Sequence, residues 1–157
     1  GTLDQFDVGT SATATIAKGT LVEGLLDTLQ FEAFDDLDFS QEIANQGVSE
    51  DQIDSVRITG FVIHTEAGSG ATLDFLESVA FYAEAEGLER ILVASSADFD
   101  GKTEVALTLA DDAELKPYLI APSMTLSAEV SGKRPQQDTT LTADVALTVD
   151  ATVPGCE

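Results

Sequence analysis

The chain has no tryptophan, one cysteine, one histidine and seven basic residues, and each shortage removes a class of function. Cys156 has no partner for a disulfide within the chain, and no Cys/His cluster has the spacing of a zinc site. Ser-His-acid catalysis would have to be built on His64, which stands before Glu66 and the Gly68-Ser69-Gly70 turn rather than beside a nucleophile elbow. Carboxylate pairs could in principle hydrolyse glycosides. A saccharide cleft usually also needs aromatic platforms, however, and only Tyr82 and Tyr118 accompany the phenylalanines. Lys18, Arg57, Arg90, Lys102 and Lys116 lie far apart, and only Lys133 and Arg134 are adjacent. That scatter excludes a nucleic-acid partner and disfavours anionic membrane surfaces. No apolar run reaches 18 residues, so no helix is expected to span a membrane.

Acid is what the sequence has in excess. Its 29 Asp and Glu set a formal charge of -22, which keeps the chain soluble, attracts cations and suits a salty environment where self-repulsion is screened. At 157 residues, one domain spanning residues 1–157 is expected. A chain of that size buries roughly 68–70% of its unfolded surface, enough for a core without staples. No repeat of fixed period and no low-complexity linker divides it.

The hydropathy pattern is that of strands. The stretch LDFLESVAFYAEAEGLERILVAS (residues 73–95) reads as two strands folded back around Glu86, Gly87 and Leu88. In the first arm Val79, Phe81, Ala83 and Ala85 alternate with Ala80, Tyr82 and Glu84. The second, residues 91–94, is apolar on both faces, as expected of a strand buried on both sides. Before it, residues 6–16 alternate as a long half-exposed strand. Residues 55–65 place Val56, Ile58, Gly60 and Val62 on one face and Thr59, Phe61 and Ile63 on the other. After it, Val105, Leu107 and Leu109 face one way, Met124, Leu126, Ala128 and Val130 form another strand, and Leu141, Ala143, Val145, Leu147 and Val149 define the last.

Residues 18–36 read as an irregular crossover with a short strand near 29–34. Short helical turns fit three connections: one capped by Ser40 and ended by Gly47, one begun by Ser49, and one near residues 111–118 limited by Pro117. Thr and Asp face outward on the long first and last strands, where they would protect sheet edges. Seven or eight strands at regular spacing predict an all-β antiparallel β-sandwich, Ig-like or jelly-roll.

Calcium is the sharpest chemical expectation. Residues 96–101 (SADFDG) match the first half of an EF-hand loop, with oxygen ligands at alternate positions and glycine at the sharp turn. The match breaks at Leu107, where a bidentate Glu belongs. A loop between strands could still hold calcium through Asp98, Asp100 and Glu104. The alternative is a plain Asp-Gly turn. Asp35, Asp36 and Asp38, and Asp111, Asp112 and Glu114, are weaker groups of the same sort. Cys156 could join another chain or be a bystander thiol, and it is not at the N-terminal position that bacterial lipid attachment requires.

Three stretches, LDFLESVAFYAEAEGLERILVAS, LKPYLIAPSMTLSAEV and QQDTTLTADVALTVDA, resemble exported β-sandwich proteins of unknown function from myxobacteria and other Gram-negative bacteria. The resemblance covers the second half of the chain. It implies a cell-envelope or secreted location, extracellular, periplasmic or outer-membrane-associated, and brings no functional residues with it. The opening Gly1-Thr2-Leu3-Asp4, without an initiator methionine, fits a product trimmed of a leader.

The expectation is therefore a non-enzymatic exported domain that binds a protein partner or self-assembles, with no cofactor. Its surface would be loops at one end of the sandwich or an unpaired strand edge. A calcium-stabilised adhesin-like module and a hydrolase using carboxylates or His64 are the alternatives.

Overall fold

The computed structural model describes residues 2–16, 18, 25–26, 34, 37–66, 68–110, 113–121, 123–133, 135 and 137–153. Among these, the strands are β1 (Thr2–Ile16), β2 (Leu25–Leu26), β3 (Ile53–Thr65), β4 (Leu76–Glu84), β5 (Ile91–Ser96), β6 (Glu104–Ala106), β7 (Thr108–Leu109), β8 (Thr125–Lys133) and β9 (Thr139–Val153). The helices are short: α1 (Ser40–Asn45), a 3-10 turn at Glu50–Gln52, and α2 (Lys116–Leu119). The predicted strand at residues 29–34 lies almost wholly outside the described residues.

The strands form a four-stranded sheet, β1-β9-β3-β6, and a five-stranded sheet, β2-β8-β4-β5-β7, in which every strand pairing is antiparallel. Counting β6 and β7 as one strand that changes sheets, successive strands cross between the layers except at the β4–β5 hairpin, which stays within the five-stranded sheet, and this is the strand order of a jelly roll. The change occurs at Leu107, whose N–H still bonds the Phe61 carbonyl at 2.8 Å while Thr108 pairs with Ser95 in the other sheet.

The inward sets of both sheets build one core. Leu141, Ala143, Val145, Leu147 and Val149 are all buried, as the alternation of the last strand predicts. Across the layers, the rings of Phe61 on β3 and Phe81 on β4 lie 4.3 Å apart, and Phe34 meets them edge-on at 6.4 and 6.5 Å. Such aromatic contacts contribute about 0.5–1.5 kcal/mol each beyond the area they bury.

Several local expectations change. In β3 the register shifts between Ile58 and Gly60, so Phe61, Ile63 and Thr65 turn inward with Ile58 while Val62 turns outward. A bulge adds one residue and flips every later side chain to the other face. A second bulge, between Phe81 and Tyr82 opposite β5, buries both Val93 and Ala94 but leaves Leu92 41% exposed, so β5 is not covered on both faces. The last strand is not an edge: β9 lies between β1 and β3. Ser40 does not cap α1 with its side chain; it is the first helical residue, and its N–H donates to Asp38 Oδ1 at 2.9 Å. Gly47 does end α1 with φ +75°, and Ser49 does begin the 3-10 turn, its N–H donating to Gln52 Oε1 at 2.8 Å.

Candidate functional site

Among the described strands, the first has the longest edge that no other strand pairs with. All fifteen residues of β1 pair with β9, Thr2 opposite Val153 through Ile16 opposite Thr139. Among the described residues no strand pairs with its other side. Phe6, Val8, Ala12, Ala14 and Ile16 point into the core, whereas Gln5, Asp7, Gly9, Ser11, Thr13 and Thr15 are exposed on the outer face. Residues 9–16 (GTSATATI) contain no charge and no proline. Natural edges are usually blunted by lysine, proline, bulges or shortness. None of these devices occurs in this run, and its pairing with β9 is regular throughout.

The outer face beside this edge is polar and laced across strands. Thr148 Oγ1 donates to Asp7 Oδ1 at 2.7 Å, which leaves Thr59 to donate to Thr148 at 3.0 Å, so one relay ties β3, β9 and β1. Asp150 accepts from Gln5 at 2.7 Å and from Ser55 at 3.1 Å, and Arg57 stands 3.5 Å away. The hydrogen bond from Gln5, then that from Ser55 and the charge of Arg57, hold the Asp150 carboxyl below its usual range against some desolvation. Next to Thr15, Thr140 shares a hydroxyl hydrogen bond at 2.9 Å. These bonds fix β1 on its β9 side, and among the described residues no strand covers its other edge.

His64 lies on the same face, not in a cleft. Its Nδ1 is 3.1 Å from the Thr65 carbonyl and its Nε2 is 3.0 Å from Asp144 Oδ2; Glu104 stands opposite on β6. Both ring partners are acceptors, so the imidazolium satisfies both and the neutral ring only one. The Thr65 carbonyl, followed by Asp144 and then Glu104, accordingly raises the His64 pKa against partial desolvation. Both nitrogens are committed in this arrangement.

The calcium candidates are only partly brought together. Asp98 and Asp100 line a hollow of about 390 Å³ with Asp74 and Glu77, but Lys133 lines it too, and Lys102 Nζ is 2.9 Å from Asp98 Oδ2. Glu104 is instead on β6 opposite His64. Among the described residues no three His, Cys, Asp or Glu side chains are grouped as a metal ion would need. Of the weaker acids, Asp38 receives the Ser40 N–H, which lowers its pKa, and Glu114 accepts from Val56 N at 2.8 Å and Lys116 N at 3.0 Å, fastening α2 to β3. Asp35, Asp36, Asp111, Asp112 and Cys156 lie outside the described residues. A larger open groove of about 740 Å³, lined by Ile43, Val48, Lys116 and Ile120 among others, includes none of the predicted site residues.

The strand order defines the class: a jelly-roll β-sandwich in which, among the described residues, β1 is an unpaired edge of the four-stranded sheet. Among solved structures, the chain is similar to the crystal structure of the decameric BFDV capsid protein, with 13% identity over 97% of this chain and 100% of that chain and a TM-score of 0.47. The 60-mer of the BFDV capsid protein gives 12% identity over 99% and 97% of the respective chains and a TM-score of 0.45. No protein-family model and no curated protein matches the sequence. Among the described residues no helix is long and apolar enough to cross a membrane.

Proposed function

We propose that this chain is a non-enzymatic, exported binding or assembly domain that takes up an extended strand of another chain along the free edge of β1. The observation that carries this reading is the regular, fifteen-residue β1, bonded on one side and lacking charge from residue 9 to residue 16. Strand addition draws its affinity from main-chain hydrogen bonds and its specificity from alternate side chains, and β1 offers both. The exported setting draws on the likeness of the second half of the chain to exported β-sandwich proteins. It also suits a molecule of charge -22 whose self-repulsion is relieved by salt.

Amide hydrogen exchange tests the reading. Alternate amides of β1 are expected to exchange rapidly in dilute protein, and to slow when an extended synthetic peptide is added, either a neutral one with the sequence of residues 8–16 or a lysine-rich one of equal length. If neither peptide changes exchange along β1, strand addition at this edge is wrong.

A further inference from the structure

Building on that reading, we infer that the strand received by β1 is the β1 of a second copy, paired antiparallel about a two-fold axis at Ala12. The joint fuses the four-stranded sheets of two copies into one continuous sheet. Three features of the edge select this occupant.

The first is electrostatic. Two copies of charge -22 repel wherever acids meet, and residues 9–16 are a stretch of continuous edge where none do. A cationic foreign strand would find no countercharge there and would be drawn to the acids elsewhere, whereas a second copy brings a matching neutral run.

Orientation follows from Asp7. Parallel pairing in register would set the two Asp7 carboxylates side by side. In the antiparallel joint centred on Ala12, ten residue spacings separate them, about 34 Å at 3.4 Å per residue. That is more than three Debye lengths at about 0.1 M salt.

Side-chain parity supplies the third. Antiparallel partners share a face, so a two-fold joint needs residue numbers of equal parity opposite one another. Centring on Ala12 sets exposed Gly9 against Thr15 and exposed Ser11 against Thr13, and the second pair, made twice by the two-fold, can join hydroxyls across the strands. On the inward face Val8 meets Ile16, Thr10 meets Ala14, and Ala12 meets itself, all small or apolar. Two-fold dimers are also the commonest closed assembly.

Sedimentation velocity on the whole chain, over a range of concentrations at low and high NaCl, tests the inference. The wild type is expected to form a dimer that tightens as salt rises, opposite to the salt dependence of a complex with a cationic partner. Ser11→Asp combined with Thr13→Asp sets like charges opposite each other twice and should weaken the dimer by about tenfold or more. Ser11→Asp combined with Thr13→Lys sets opposite charges across the joint and should restore it. Both positions are exposed, so melting temperatures near the wild-type value serve as the folding control. A wild type that stays monomeric at every salt and concentration overturns the homotypic joint, as does an Asp/Asp variant that dimerises like wild type. If the chain is monomeric yet either peptide slows exchange on β1, the occupant is a different chain and strand addition survives. If neither occurs, both readings fall.

Discussion

At the scale of single residues, His64 shows how a lone titratable group takes its properties from neighbours rather than from its place in the sequence. Both ring nitrogens face acceptors, at 3.1 and 3.0 Å, so folding favours the charged ring and raises its pKa. Stabilisation by a raised pKa is complete below the unfolded value of about 6.5 and is lost as pH climbs through the folded value. Melting wild type and His64→Gln side by side at fixed ionic strength should therefore show a gap that is widest near pH 5.5 and closes in alkali. With the side chains of His64 and Asp144 35% and 53% exposed, the gap should have the size of a surface pair, about 0.2–1 kcal/mol. A gap that does not vary with pH would mean the ring is not held as an imidazolium. Asp150 works in the opposite sense. Its lowered pKa contributes stability above the unfolded carboxylate value, lost as acid drives pH down through the folded one. The carboxylate partner of His64 could not be read from the sequence: Asp144 is eighty positions away and becomes a neighbour only through strand register.

Among the elements, β8 shows how closely two strands can be set by a residue without a side chain. A Cβ at Gly132 would collide with the Phe75 carbonyl oxygen and crowd the backbone of Leu76 and Glu77, where the β4–β8 register shifts. Because that obstacle is backbone, Gly132→Ala should destabilise by about 1–3 kcal/mol. That corresponds to a fall of roughly 3–10 °C in the melting temperature, read by circular dichroism. A change under a degree would show that the strands can separate freely there.

The same scale separates what sequence patterning conveys from what it does not. Alternation assigned faces well: the inward set of β9 and the arms Val79, Phe81 and Ala83 of β4 are buried as the period of two requires. It failed at bulges, because one extra residue in β3 or β5 reverses the faces without altering composition. Nor does periodicity name neighbours. Residues 104–109 read as one strand, yet they divide between two sheets at Leu107. First and last strands look equally like edges, yet β9 is central and β1 is not. The candidate edge was therefore legible only as a class of surface; its position on β1 required the strand order.

For the whole molecule, charge dominates. A formal charge of -22 opposes compaction, and the opposition should fade as salt shortens the Debye length from about 30 Å at 0.01 M to about 3 Å at 1 M. The melting temperature is expected to rise several degrees across that range, equally for NaCl and KCl, and equally for MgCl2 and CaCl2 at matched ionic strength. Scanning calorimetry in these four salts checks it. A further rise confined to calcium would assign a bound ion to Asp98 and Asp100 and revive the adhesin-like alternative. One site filled to about 100 times its dissociation constant adds about 2.7 kcal/mol.

The central place of β9 also bears on how the molecule is made. Strand β1 is synthesised before every other described strand, but the one strand that pairs with it, residues 139–153, is the last of them to be made. At about 5–20 residues per second, synthesis keeps β1 waiting on the order of ten seconds with both its edges bare. During that interval the uncharged run 9–16 is exposed to other nascent chains on the same message. A premature stop before residue 139 would not trim one margin of the sheet. It would remove the strand that joins β1 to β3, and with it the four-stranded layer as a whole.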